Sequence, residues 1–239
     1  MIRFLLKKTF LDIWDNLFLV ILINSLFFAV SAASFLLFKF LPTNFFYLAI
    51  ILFCFLILFF SLIFLSYLNN RFKVEIIKIL FASFYSLGLN LIFIFFGVYS
   101  LIYYFSNPNI ILNFLGFFLI WILISYFVGS IFYYPLLSKN NYINTKSIKK
   151  SFILLFDNLW FTLFVFLIFL INIILIVFLI FGIGSALIFL NNSLNIILKK
   201  YDYIEKNNFT KKVDWDEILK EDKLAINKIN IRSLISPFK

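Results

Sequence analysis

Between its charged residues the chain leaves uncharged runs of 23, 31, 60 and 41 residues, at 16–38, 40–70, 79–138 and 158–198. A helix needs about 20 consecutive apolar residues to cross the hydrocarbon layer of a bilayer, so the two shorter runs hold one crossing each and the two longer ones hold two. Every face of these runs is apolar. Barrel strands would alternate in and out every second residue, so helices are the expected element. With 64% apolar and 13% charged residues, no soluble fold is expected. The reading is an all-α, polytopic helical membrane protein of about six transmembrane helices.

Absences narrow the chemistry. The chain has no histidine and one cysteine, Cys54, which removes the commonest general base, the commonest zinc ligand and any intrachain disulfide. No span carries a carboxylate, lysine or arginine at mid-depth, where coupled ions or protons would be handled. No catalytic residue, cofactor or metal is expected, and no nucleic-acid partner.

The stretch Lys7–Leu17, K-K-T-F-L-D-I-W-D-N-L, returns at 149–159 as K-K-S-F-I-L-L-F-D-N-L, with six of eleven positions identical. Phe and Leu matches mean little in so apolar a chain, but a Lys pair and an Asp-Asn step in one register indicate an internal repeat at an offset of 142 residues. Asp12 opposite Leu154 is the one clear mismatch. The motif reads as a chain arriving at a membrane surface and turning in. Lys8 and Lys150 extend toward lipid phosphates. Asp15 or Asn16, and Asp157 or Asn158, are expected to cap the spanning helices by accepting their first free N–H groups. Trp14 with Phe18, and Phe156 with Trp160, stand four apart, on one helical face at the depth where aromatic rings anchor.

Taken in order, residues 1–14 form a basic amphipathic interfacial helix. No signal cleavage is expected, because Asp12 and Asp15 do not suit a leader and the same motif recurs at 149. Spans follow at about 16–38, 45–68, 83–105 and 110–134, with turns at Lys39–Asn44 and Ser106–Asn109. A weaker echo of the motif places Lys78 on Lys8, with Tyr85 and Ser86 where Asp and Asn stand elsewhere. Offsets of 70 and 142 residues suggest three tandem hairpins, near 1–70, 71–141 and 142–198. The last run is expected to turn at Gly182-Ile183-Gly184, leaving a short sixth helix over about 185–200 with Asn191, Asn192 and Asn195.

Residues 199–239 hold ten of the 21 basic and seven of the 11 acidic residues. They read as an aqueous tail with a capping box at Asp214 and Glu217 and a short helix whose apolar face, Trp215, Ile218, Leu219 and Ile226, is a docking element. The tail is expected to dock on the chain's own basic loops at 71–78 and 139–150, or on a membrane-protein partner. Basic residues number three before the first span, three at 71–78, four at 139–150 and ten after 198, against Lys39 alone on the other side. Both termini are therefore expected in the cytoplasm, beside anionic lipid.

The opening D-I-W-D-N-L-F with Asn24 in the first span, the R-F-K segment at 71–73 and the three-hairpin layout resemble the YesL-like integral membrane proteins of bacteria, whose function is unknown. The resemblance covers roughly residues 7–200 and implies a fold and a location in the bacterial cytoplasmic membrane, with no activity. A related pattern is similar to membrane domains attached to some glycerophosphodiester phosphodiesterases, whose soluble catalytic domain has no counterpart here. The expected function is an accessory or scaffolding membrane component. The alternative is a transporter or lipid-handling protein for an uncharged or lipidic substrate, with Asn24, Asn90 and Asn172 on its path; ordinary interhelical hydrogen bonding is the plainer reading of those amides.

Overall fold

The computed structural model describes residues 1–40, 43–69, 75–106, 109–140, 144–175, 180–207 and 213–228, with the backbone alone at 34–35, 37–50 where described, and 227–228. The expected turns at Pro42 and Asn107-Pro108, the basic residues Arg71, Lys73, Lys211 and Lys212, and the tail beyond 228 lie outside them. Every regular element among the described residues is helical: α1 (Ile2–Asp15), α2 (Leu17–Phe40), α3 (Thr43–Asn69), α4 (Ile76–Ser106), α5 (Ile110–Gly129), α6 (Tyr133–Lys139), α7 (Asn144–Asp157), α8 (Leu159–Ile174), α9 (Ile183–Lys206), α10 (Trp215–Ile218) and α11 (Lys220–Lys228).

Residues 51–69 of α3, all of α4 and the run 110–139 are long and apolar enough to cross a membrane. Counting the bent pairs α1/α2 and α7/α8 as one span each makes five. The expected sixth span, α9, is not among them. Its second residue, Gly184, donates its N–H to the Asn24 side chain at 2.9 Å, and Asn24 is only the eighth residue of α2. So α9 begins beside the first third of α2 and runs back along α1. Gly182, just before it, has φ 133°, a conformation that suits glycine. A Cβ on Gly184 would sit 3.2 Å from the Val20 backbone.

Both copies of the repeated stretch fold as an amphipathic helix, a break at Asn16 or Asn158, and an apolar helix. The bends are 84° and 109°. The weaker echo behaves differently: α4 passes through Tyr85 and Ser86 without a break, and the Ser86 hydroxyl donates back to the Ala82 carbonyl at 2.7 Å. The span expected from about 83 instead begins at Ile76, so the turns ahead of Tyr85 belong to the same helix. α5 leads through a 3₁₀ turn at 130–132 into α6, which accommodates Pro135 in its first turn, where a missing N–H costs no helical bond.

The core forms around α9. Leu5, Phe132, Leu154, Phe189, Leu194, Ile197 and the tail's Leu219 share one buried cluster, while Val20, Phe64, Leu65, Leu187 and Ile188 form another.

Candidate functional site

The Asp-Asn steps do mark the helix boundaries, but their side chains do not act as the expected N-caps. Asn158 makes no side-chain cap to α8. It donates backward to the Leu154 carbonyl, 3.3 Å, and Asn16 likewise to the Asp12 carbonyl, 2.7 Å. The physical reason is position. The residue before each Asn is still helical, so the nearest unpaired groups are the last carbonyls of the arriving helix. At 158 the side-chain oxygen is also taken by Lys200, whose Nζ donates to Oδ1 at 2.6 Å. Asn109, before α5, does cap in the expected way, its side chain accepting from Ile111 N at 3.0 Å.

The break corrects a second expectation. Trp14 and Phe18, and Phe156 and Trp160, lie on opposite sides of a bend and do not share a helical face. All four rings are exposed. Lys150 and Asp15 are exposed and Lys8 is half-buried.

What the residues at the bends meet is α9. Asn192 donates to Asp12 Oδ2 at 2.6 Å, and burial, opposed by this bond and by Lys8, holds the Asp12 carboxyl above the usual carboxylate range. At the second bend Asn158 donates to the Tyr201 hydroxyl at 3.0 Å, and Tyr201 donates to Asp157 Oδ2 at 2.9 Å. Burial, then that bond to Asp157, pushes the Tyr201 phenol up to about 12. Asp12 and Leu154, the one mismatch of the repeat, both pack toward α9, one through an amide and the other through the apolar cluster. No periodicity of the sequence announced Asn192 as the partner of Asp12, since the contact spans 180 positions.

The tail docks on the chain itself. Asp214 caps α10 by accepting from Asp216 N at 2.9 Å and Glu217 N at 3.3 Å. Leu219 is fully buried against α1 and α9, Ile226 is buried, and Trp215 and Ile218 pack on the same cluster. Lys199 pairs with Asp222 at 2.6 Å. Among the described residues the partner surface is the α1/α9 junction, where Lys199 supplies the cation and Leu5 and Ile197 the apolar floor.

The three amides inside the bundle also have partners. Asn24 bridges to the start of α9, donating to Phe181 O at 2.9 Å. Asn172 accepts from Ser185 at 3.0 Å. Asn90 links two tyrosines, donating to the Tyr134 hydroxyl at 2.9 Å and accepting from the Tyr126 hydroxyl at 2.9 Å. Interhelical ties, the plainer of the two readings, describe all three.

Beside Asn90 lies a half-open cavity of about 410 Å³, bordered by α3, α4, the α5/α6 junction, α8 and α9. Its size falls within the range of small-molecule sites. Its lining is aliphatic and aromatic, with Cys54, Ser61, Asn90, Ser130 and Tyr134 as its polar members and no charged residue among those described. Such a surface can hold hydrocarbon by van der Waals contact, and gives an ion nothing to pair with. Among the described residues no three acidic or thiol side chains converge as a metal site would need. No family model, curated protein or solved structure matches the chain.

Proposed function

We propose that the chain is a lipid-handling protein of the bacterial cytoplasmic membrane, holding an apolar chain in the cavity between α3, α4, α8 and α9. The observation that carries this reading is the cavity's uncharged, almost wholly apolar wall. Transport of an ion or a polar solute would call for a continuous polar path, which this wall does not offer. The layout of basic residues supports cytoplasmic termini, and the packing of the tail against α1 supports both ends lying on one face, with α8 and α9 together a re-entrant hairpin rather than a fifth crossing. The two matched bends support the internal repeat, and with it the resemblance to the YesL-like proteins. Reporter fusions after Asn107 and after Lys146 are expected on opposite sides of the membrane.

The test is native mass spectrometry of the protein extracted in mild detergent. The wild type is expected to carry a lipid adduct, and Ser61→Phe, which pushes a ring into the cavity wall, is expected to lose it while remaining folded. Wild type that is free of lipid, or a variant that keeps its adduct, overturns the reading.

The accessory or scaffolding role has one observation in its favour. The outer rings of the α4–α5 hairpin, among them Phe95, Phe96, Phe114, Phe118 and Trp121, are exposed and offer a broad face to a helical partner within the bilayer. Blue-native electrophoresis of mild extracts tests it: a complex larger than the chain and its detergent is expected, and migration as the bare protein speaks against it.

A further inference from the structure

A second pocket lies at the bend between α7 and α8, away from the cavity wall. It has a volume of about 200 Å³, it is open to the surroundings, and its wall includes Met1, Asp157, Asn158, Trp160, Phe161 and Trp215. Two distant parts of the chain thus bring an indole each to one carboxylate, Trp160 from the start of α8 and Trp215 from the docked tail. The bend joins the amphipathic α7 to the apolar α8, which puts the pocket at the level of lipid headgroups.

The carboxylate is available. Asp157 is exposed, and only its Oδ2 is bonded, by the Tyr201 hydroxyl at 2.9 Å. Among the described residues no cation forms an ion pair with it. The chain's amino group acts elsewhere: Lys223, and more weakly the amino terminus, hold the Asp216 carboxyl below its usual range. The rings are available too. Trp160 is 84% exposed, while Trp215 is fixed by its packing on the core cluster.

A carboxylate with an unbonded oxygen in one pocket with two indoles suits an ammonium. The carboxylate supplies the counter-charge, and tryptophan has the ring face that attracts a cation most strongly. An anion in the same place meets Asp157 and the negative faces of the rings. Lys200, whose Nζ donates to Asn158 Oδ1 at 2.6 Å, stands behind the same wall and suits a phosphate, a group that every phospholipid shares and that therefore does not select among them. The first bend has the same Asp-Asn-Leu step with Phe18 in place of Trp160, and phenylalanine is a poorer partner for a cation.

We propose that this pocket is a headgroup site for a phospholipid that ends in an ammonium, held by the Asp157 carboxylate and the rings of Trp160 and Trp215. The site is distinct from the cavity, shares none of its lining residues, and holds whether or not the cavity takes a lipid chain. Being open, it exchanges its lipid and is read with added lipid, whereas an adduct retained through extraction belongs to the cavity.

The experiment titrates the full chain, delipidated in mild detergent, with palmitoyl-oleoyl phosphatidylethanolamine, phosphatidylcholine and phosphatidylglycerol, and follows adducts by native mass spectrometry. The chains of the three lipids are identical, so a chain held in the cavity contributes equally to all, and the differences report the headgroup. The two ammonium lipids are expected to bind at concentrations about fivefold or more below phosphatidylglycerol, the effect of one modest cation–π or ion-pair contact. Asp157→Asn, which keeps an acceptor for Tyr201, and Trp160→Leu, which keeps an apolar side chain at the surface, are each expected to remove at least half of that preference. Both side chains are exposed, and unchanged thermal unfolding checks that both variants fold. Ser61→Phe, which alters the cavity alone, is expected to keep the preference. Tighter binding of the choline lipid supports the site with ring contact leading, and tighter binding of the ethanolamine lipid supports it with the hydrogen bond to Asp157 leading. Phosphatidylglycerol that binds as tightly as the other two, or a preference unchanged in either Asp157→Asn or Trp160→Leu, overturns the proposal.

Discussion

α5 and α9 lie in the same bundle and invert each other. α5 has 20 residues, of which only Gly116, Val128 and Gly129 are buried. α9 carries Asn191, Asn192 and Asn195 among its 24 residues and buries 13 of them. In water the more apolar helix would be the core. Within lipid the apolar surface already has a suitable solvent, so burial gains little for Phe or Ile, and it is the amides that must find protein partners. The difference teaches that apolarity in this chain reports contact with lipid, and that polar residues at mid-helix mark the centre.

The largest effect is expected where that rule is violated. Leu154→Asp puts at the second bend the residue that the first bend has, without an Asn opposite it, among Phe132, Phe189 and Leu194. The unpaired carboxyl should cost on the order of 3 kcal/mol, measured by thermal unfolding in detergent. A loss below about 1 kcal/mol would show that the two bends are not packed alike on α9. Next comes Asp12→Leu, which leaves the Asn192 amide only its 3.4 Å bond to the Thr9 hydroxyl and should cost about 2 kcal/mol. Adding Asn192→Leu should restore part of that loss, and a double variant as weak as the sum of its singles would break the pairing.

A smaller effect follows from acidity. Burial raises the Asp12 pKa above its ordinary 3.8, so the folded chain binds this proton more tightly than the unfolded one. Stability then declines as pH rises from about 4 through the folded value and is level above it. Asp12→Asn, which keeps an acceptor for Asn192, should lack that slope between pH 4 and 7, and an identical profile in the two proteins speaks against a buried carboxyl. The smallest effect belongs to α5. Trp121→Ala, on a ring that faces outward, should change stability by no more than about 0.5 kcal/mol, the usual range for surface positions.

The bends show how far a local signal reaches. Lys-Lys, the amphipathic spacing and Asp-Asn marked the Asp-Asn steps where both of them fall. The role of the Asn side chain was not legible, because an Asn at a helix boundary can serve the helix before it or the one after it, and Leu154 O and Lys200 decide at 158. The third echo failed for a related reason. Tyr85-Ser86 has no amide to close the arriving helix, and Ser86 meets its own i−4 carbonyl without leaving α4. The tail's Asp214 cap and its docking face, Trp215, Ile218, Leu219 and Ile226, could be read directly, whereas Glu217 turns to the Tyr203 hydroxyl instead of closing the box, and the landing place required Leu5 and Ile197, far away in the chain. Asn90 was visible as a polar residue in an apolar run, and its place in the cavity wall between Tyr126 and Tyr134 was not.

By itself the sequence determined the helical class, the long apolar segments, the two bends and the composition of the tail. These follow from spacing and from the length of uncharged runs, which are local quantities that each segment carries alone. The tertiary structure decided that α9 is the centre, that Asn192 donates to Asp12, that the tail closes over α1, and that Asn90 ties Tyr126 to Tyr134 beside the cavity. Each of these pairs side chains from different helices. A membrane helix is apolar on nearly every face, so its pattern does not say which face meets protein; that choice is made by the few amides, hydroxyls and glycines whose partners exist only once the helices are assembled.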